Sequence, residues 1–227
     1  MDSAATAARA YAAIKSRIID CTYAPGSKIS EARLVDELGV GRSPIRSALA
    51  RLRSEGWIDV SPQSGSYVKA LSPQEMREVF DFRILLETHV ARLAAKNIND
   101  DQLRRLRLAL RHARPLDGDG YDKPTFDEFD AFDSMVHSAI YAAGGNSLMS
   151  GVLLNLQEKA QWFKQATSPS TPERMKTWFE ELERIIEALE ARDPKLAAQR
   201  VREHIGHAAD FEMGLAARGM SATKKAA

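Results

Sequence analysis

Residues 34–67, LVDELGVGRSPIRSALARLRSEGWIDVSPQSGSY, constrain this chain more than any other stretch. Leu34, Val35 and Leu38 fall on one side of a helix, which Gly39-Val40-Gly41 then breaks, because glycine reaches the backbone angles of a tight turn. A second helix is predicted to follow, with Ser43 as its N-cap, Pro44 in the first helical position and Gly56 as the left-handed residue past its end. Within it Ile45, Ala48, Leu49 and Leu52 recur at helical spacing and make a buried face. Arg42, Arg46, Ser47, Ala50 and Arg53 fall elsewhere and face out. From Arg42 to Arg53 there are four arginines and no acid, so the exposed side is cationic. Trp57-Ile58-Asp59-Val60 and Ser66-Tyr67-Val68 flank the polar tip Pro62-Gln63-Ser64-Gly65 and read as a two-stranded ribbon. Helix, turn, basic helix and hairpin make a winged helix-turn-helix.

That arrangement suits duplex DNA. A helix of this kind fits the major groove, where arginine makes paired hydrogen bonds to O6 and N7 of guanine. Its N-terminus and Ser43 can donate to phosphate, setting register without reading sequence. The alternative is a solvated arginine face on a helix that only packs. The coincidence of turn glycines, Ser-Pro start and hairpin favours DNA.

The motif also resembles a known family. Pro25-Gly26-Ser27-Lys28-Ile29-Ser30-Glu31, then Leu38 to Leu49 (LGVGRSPIRSAL), then Leu52, Glu55-Gly56-Trp57 and Gly65 are similar in order and spacing to the GntR family of bacterial transcription regulators. The resemblance covers about the first third of the chain. It implies that Arg42, Ser43 and Arg46 touch DNA and that Gly65 lets the wing tip approach the minor groove, with Arg33 and Ser47 completing the DNA-binding set. The chain departs from the family at Gly41, where a small hydroxyl residue is usual, and at Ala32, where many members carry a DNA-contacting arginine. Arg33 stands next door.

At 227 residues, 44% hydrophobic and 28% charged, the composition is that of an ordinary globular protein. The net charge of +1 conceals a split: residues 1–70 hold 10 Lys+Arg against 7 Asp+Glu, and the remainder 22 against 24. The positive excess lies on the DNA-binding side but is too small to indicate DNA by itself. No apolar run approaches the roughly 20 residues of a spanning helix. The start Met1-Asp2-Ser3-Ala4-Ala5-Thr6 lacks a basic-then-apolar signal. A cytoplasmic protein without membrane contact is expected. The single cysteine, Cys21, forbids an internal disulfide and reads as a small buried residue at a helix end.

Residues 4–20 carry Tyr11, Ile14, Ile18 and Ile19 at helical spacing, a first helix that packs on the two already described. Ala24-Pro25-Gly26-Ser27 is a turn, and Ser30-Glu31 opens the next helix. The winged domain is expected over residues 1–70. Ser72-Pro73-Gln74-Glu75 is a capping box that begins a fresh helix running to about residue 97. Asn99 or Asp100 caps another, with Leu103, Leu106 and Leu110 buried and arginines at 104, 105, 107, 111 and 114 on a solvated face. Residues 115–120 form the clearest loop, a connector whose acids lack the pattern of a calcium-binding loop. Helices resume over about 125–143, 147–167, 171–191 and 194–214, and the tail from Ser221 is expected to fray. Residues 71–227 are therefore an all-α bundle, and the fold class is mainly α.

This second part resembles the FCD domain, the effector-binding and dimerising domain of the FadR-like branch. The resemblance rests on Arg83 with Glu87, Asp133-Ser134-Met135-Val136-His137 followed by Asn146, the helix end Glu187 to Asp193 (EALEARD), and Arg202-Glu203-His204. Many such domains hold a divalent metal with one aspartate and three histidines, which implies Asp133, His137 and His204 as ligands to zinc, nickel or manganese. Asp133 and His137, four apart, share a helix face. The remaining histidine belongs near position 182, where this chain has Leu182. Three readings are open: water or effector completes the shell, His207 swings in, or the site is vestigial and the pocket binds through polar side chains. Arg83 is expected to pair with an effector carboxylate, with Asn146 also in the effector site. The alternative for Arg83 is a salt bridge to Glu87, one turn on.

The expected function is a dimeric DNA-binding repressor rather than an enzyme. Two winged domains would read a short inverted repeat, with GT and AC steps in the half-sites by family resemblance. A small carboxylate-bearing metabolite, an organic or sugar acid, would alter operator affinity. The rivals are an architectural DNA-binding dimer without effector and a metal-dependent enzyme, the latter without HExxH or similar signature.

Overall fold

The computed structural model describes residues 3–61, 64–113, 126–167 and 172–225. The expected wing-tip residues Pro62 and Gln63, the 115–120 connector and the Ser168-Pro169-Ser170 turn lie outside the described residues. The chain divides into two compact units: one holds the residues up to Ser72 together with Trp162–Ala166, the other Pro73–Gln161 and Thr167–Ala227.

The first unit contains α1 (Ser3–Ile19), β1 (Lys28–Ile29), α2 (Glu31–Leu38), α3 (Arg42–Ser54), β2 (Ile58–Ser61) and β3 (Gly65–Val68). Both α1 and α2 pack on α3, and Ile14, Ile18, Leu34, Ile45, Leu52 and Trp57 are buried in the core. All four residues expected on the inner face of α3 are buried, and Arg42, Arg46, Ser47, Ala50 and Arg53 are exposed. Ser30 caps α2 by accepting from Arg33 N, and Gly39, at φ 61°, ends it by donating to Val35 O. At the end of α3, Gly56 N donates to Arg53 O and Trp57 N to Leu52 O, the paired bonds of a left-handed helix stop.

The start of α3 differs from expectation. The N-cap is Gly41, extended at φ −66° and ψ 167°, and its carbonyl accepts from Ile45 N, so Ser43 lies inside the first turn and caps nothing. Pro44 is tolerated there because the first-turn N–H groups have no intrahelical acceptor in any case.

The sheet has three strands in the order β1-β3-β2. In the ribbon, Ile58 faces Val68 and Ser61 faces Gly65. Strand β1 pairs antiparallel with β3, Lys28 opposite Tyr67 and Ile29 opposite Ser66. It was not expected, because two residues carry no periodicity and are a strand only by virtue of the partner they pair with.

The second unit contains α4 (Pro73–Asn97), α5 (Asp100–Ala113), α6 (Phe126–Ala143), α7 (Ser147–Thr167) apart from its Trp162–Ala166 stretch, α8 (Pro172–Glu190) and α9 (Pro194–Lys225). α4 packs on α6, α8 and α9, while α8 also meets α5, α6 and α9. Asn99 and Gln102 exchange side-chain and backbone bonds as a capping box for α5. Asp193 caps α9 by accepting from Lys195 N and Leu196 N. Helix α9 runs on to Lys225, well past the expected end near residue 214, and so includes most of the tail expected to fray. Residues 215–225 (LAARGMSATKK) contain no proline, and Gly219 is their one costly helix residue. Of the α5 arginines, Arg104 and Arg105 pair with Asp101, and Arg107 with Glu190.

Candidate functional site

Two groups of side chains stand out, one in each unit. In the first, α3 presents Arg42, Ser43, Arg46 and Ser47 to solvent. Arg46 Nε bonds Glu31 Oε2 at 3.0 Å, a pair on the exposed surface that a stronger anion can displace. Arg33 is also exposed, but its Nε bonds Glu37, which also accepts from Arg17 and the Tyr23 hydroxyl. These donors, Tyr23 foremost, hold the Glu37 carboxyl below the usual carboxylate range. Arg33 is thus tied to the end of α2. Gly65 begins β3 at φ 113°, a conformation that side chains rarely adopt.

In the second unit, Asp133, His137 and His204 come together, their ligand atoms within 4.8 Å of one another. Helix α6 supplies the first two one turn apart, and α9 supplies the third. His204 Nε2 lies 3.1 Å from Asp133 Oδ1, and His137 Nε2 lies 3.7 Å from the same oxygen. Each ring has a carboxylate behind it: His137 Nδ1 is 2.6 Å from Glu87 Oε2, and His204 Nδ1 is 2.9 Å from Glu181 Oε2. Both Nε2 atoms are thereby turned to Asp133, the orientation that metal-binding histidines owe to carboxylate partners. His137 Nε2 is buried without a hydrogen-bond partner. An orphaned imidazole nitrogen facing a carboxylate and a second imidazole is what a divalent ion of borderline softness would satisfy. Two nitrogens and one oxygen fit such an ion as three of its ligands.

Arg83 is buried, and its Nε donates to Glu87 Oε1 at 2.7 Å. Burial alone would raise the Glu87 carboxyl, but Arg83 and His137 outweigh it and bring it down to about 2. Burial would likewise lower His204, yet its bonds to Asp133 and Glu181 raise it to about 9 when no ion is bound. The Tyr141 hydroxyl is also buried, and its pKa, raised first by burial, is pushed up by Glu87 and pulled down by Arg83. The wall of polar groups thus continues from the cluster to Arg83 through Glu87.

Of the remaining expected site residues, one stands as implied and two meet a different geometry. Leu182 is fully buried and offers no donor atom, as the sequence implied. His207, the candidate replacement, is half-exposed and bonds Glu181 Oε1 at 2.8 Å, outside the metal group. Asn146 is exposed and caps α7 by accepting from Met149 N, beyond the end of α6, whereas Arg83 is buried. The residues that sequence reasoning passed over are Glu181 and Tyr141. Glu181 stands next to the anomalous Leu182, the one local sign that could have found it.

Comparison with known proteins follows the same division. The model of bacterial regulatory proteins of the gntR family matches residues 6–68, and the FCD domain model matches residues 78–207. The chain belongs to the GntR family and carries an FCD domain. This GntR regulator is 24% identical over 197 residues to the HTH-type transcriptional regulator YdhC of Bacillus subtilis, covering 87% of this chain and 86% of that protein. It is 29% identical over 191 residues to the gluconate operon transcriptional repressor of Bacillus licheniformis, covering 82% and 74%. Among solved structures, E. coli McbR/YncC superposes with a TM-score of 0.78 at 18% identity, covering 91% of this chain and 96% of that one. The GntR protein is a DNA-binding transcriptional regulator of mainly α fold, a winged helix-turn-helix followed by an FCD helical domain. Among the described residues, no helix is long and apolar enough to cross a membrane.

Proposed function

We propose that this regulator is a homodimeric repressor whose operator affinity changes when a small carboxylate-bearing metabolite enters the FCD domain. The metabolite would bind beside a divalent ion held by Asp133, His137 and His204. The observation that carries this reading is the convergence of two imidazole Nε2 atoms on Asp133, one of them buried and unpaired, with an acid behind each ring. A bound ion would supply an electrophilic anchor for a ligand oxygen. Without a fourth protein ligand at Leu182, a coordination position is left to water or to that oxygen. Arg83 places a permanent positive charge nearby, although Glu87 already occupies its Nε. A relative named for a gluconate operon is in keeping with a sugar acid as the class of ligand.

On the DNA side, α3 would enter the major groove with Arg42 and Arg46 toward base edges and Ser43 and Ser47 toward phosphate, while Gly65 lets the wing come close. Exposed apolar side chains on the bundle, among them Phe82, Leu85 and Leu148, suit a surface that a second copy covers. Two copies related by an axis would read an inverted repeat. The ligand shifts DNA affinity only by its differential affinity for the arrangements that do and do not fit the repeat.

The test begins with chelator-treated protein. Zinc, nickel and manganese are titrated singly by calorimetry, then a panel of sugar acids and dicarboxylates is added, and binding to a duplex selected by the protein from a randomised pool is measured. One ion per chain, lost in His137→Gln, and an acid that weakens duplex binding by about tenfold or more would support the reading. Silence across metals and acids would point instead to an architectural DNA-binding dimer, and turnover of an acid to a metal-dependent enzyme.

A further inference from the structure

We propose that Lys28, on the short strand β1, is a phosphate-contacting residue of the DNA interface, held beside Gly65 at the start of β3 by the pairing of β1 with β3. The inference rests on the DNA-binding reading given above and adds a residue and an element to it.

The position of Lys28 is set by backbone. Lys28 stands opposite Tyr67 on β3. Val68 N donates to Ser27 O at 2.9 Å and Gly26 N to Val68 O at 3.0 Å, so the chain on the N-terminal side of Lys28 is tied to the same strand. From there its side chain runs alongside Gly65. A Cβ built on Gly65 would lie 3.3 Å from Lys28 Cε and 3.9 Å from Nζ. The lysine stem fills the room that a side chain at 65 would need, and its ammonium emerges where the wing begins.

The charge of Lys28 is also uncommitted. Arg17, Arg33, Arg46 and Arg51 each pair with Glu31, Glu37 or Glu55. Lys28 is exposed and, among the described residues, has no acidic partner, a property it shares with Arg42. Asp59 occupies the same cross-strand row on β2, opposite Tyr67. Among the described residues no ion pair joins it to Lys28. An ammonium on a flexible stem is a point charge that suits phosphate and reads no base. The wing would therefore grip the backbone from two elements, Gly65 by close approach and Lys28 by charge.

The full-length protein, Lys28→Ala, Lys28→Gln and Lys28→Arg are compared on a duplex that the wild type recovers from a randomised pool and on a scrambled duplex, across a range of salt. Loss of one phosphate contact should lower the slope of log affinity against log salt by about 0.9 in the Ala and Gln variants. It should weaken both duplexes by a similar factor, leave their ratio unchanged, and be restored by Arg. A wild-type slope in both the Ala and Gln variants overturns the proposal, as does a changed ratio between duplexes. A wild type that recovers no duplex fails the DNA-binding reading itself, a result distinguishable from either.

Discussion

Glu87 and His137 meet between α4 and α6, Oε2 of one 2.6 Å from Nδ1 of the other, with both side chains sealed from solvent. The same carboxylate accepts from Arg83 at 2.7 Å, so one acid holds a guanidinium with one oxygen and orients the imidazole of a candidate metal ligand with the other. Stability and site geometry therefore depend on a single buried residue.

Removing that acid leaves a buried cation without its partner. Glu87→Ala should destabilise the protein by about 3–5 kcal/mol, read from urea unfolding of the chelator-treated protein. Glu87→Gln, which keeps the shape, should cost less. Both should weaken metal binding by about 10–100-fold through loss of the His137 orientation. A Glu87→Ala protein as stable as the wild type would mean that the pair contributes nothing.

The pH dependence of the ion-free protein follows from His204. Its folded pKa of about 9 lies above the ordinary histidine value of 6.5, so its contribution is complete below 6.5 and is lost as pH rises through 9. Melting temperature in chelator should fall across that window by a few degrees, and less so in His204→Gln. A flat profile for the wild type would contradict the hydrogen bonds to Asp133 and Glu181.

On the DNA side, Arg46→Ala should reduce binding to the selected duplex by about 1–3 kcal/mol and relax its preference over a scrambled one. The fold should be unaffected, since the pair with Glu31 is exposed and surface pairs contribute about 0–1 kcal/mol. Unchanged binding would remove α3 from the major groove.

Gly144 supplies a test of packing away from both sites. A Cβ there would lie 2.5 Å from Val90 Cγ1, at the end of α6 against α4. Gly144→Ala should cost about 1–3 kcal/mol by overpacking, seen as a lower urea midpoint.

Much of the fold was legible because its signals are local. Ser30 caps α2, and Asn99 with Gln102 brackets the start of α5. Each is a contact between residues three apart. The inner face of α3 was legible because helical spacing alone places Ile45, Ala48, Leu49 and Leu52 together. The start of that helix lies earlier than residue preference at Ser43 implies, because the extended backbone at Gly41 sets it.

The candidate sites were legible in part. Asp133 and His137 share a turn of α6, so their pairing is a local fact. Asn146 lies near them in sequence yet caps α7, because the helix between carries it away.

What the amino acids alone determined is whatever depends on neighbours within a turn or two: the caps, the amphipathic faces, the basic outer surface of α3, and two of the three residues of the candidate metal group. The approach of His204 to Asp133, the acids Glu87 and Glu181 behind the rings, and the seat of Lys28 beside Gly65 were decided only by tertiary structure. These contacts join residues 23 to 71 positions apart on separate elements. No local preference encodes such a meeting, which exists only once the packing of helices and the pairing of strands have brought those elements together.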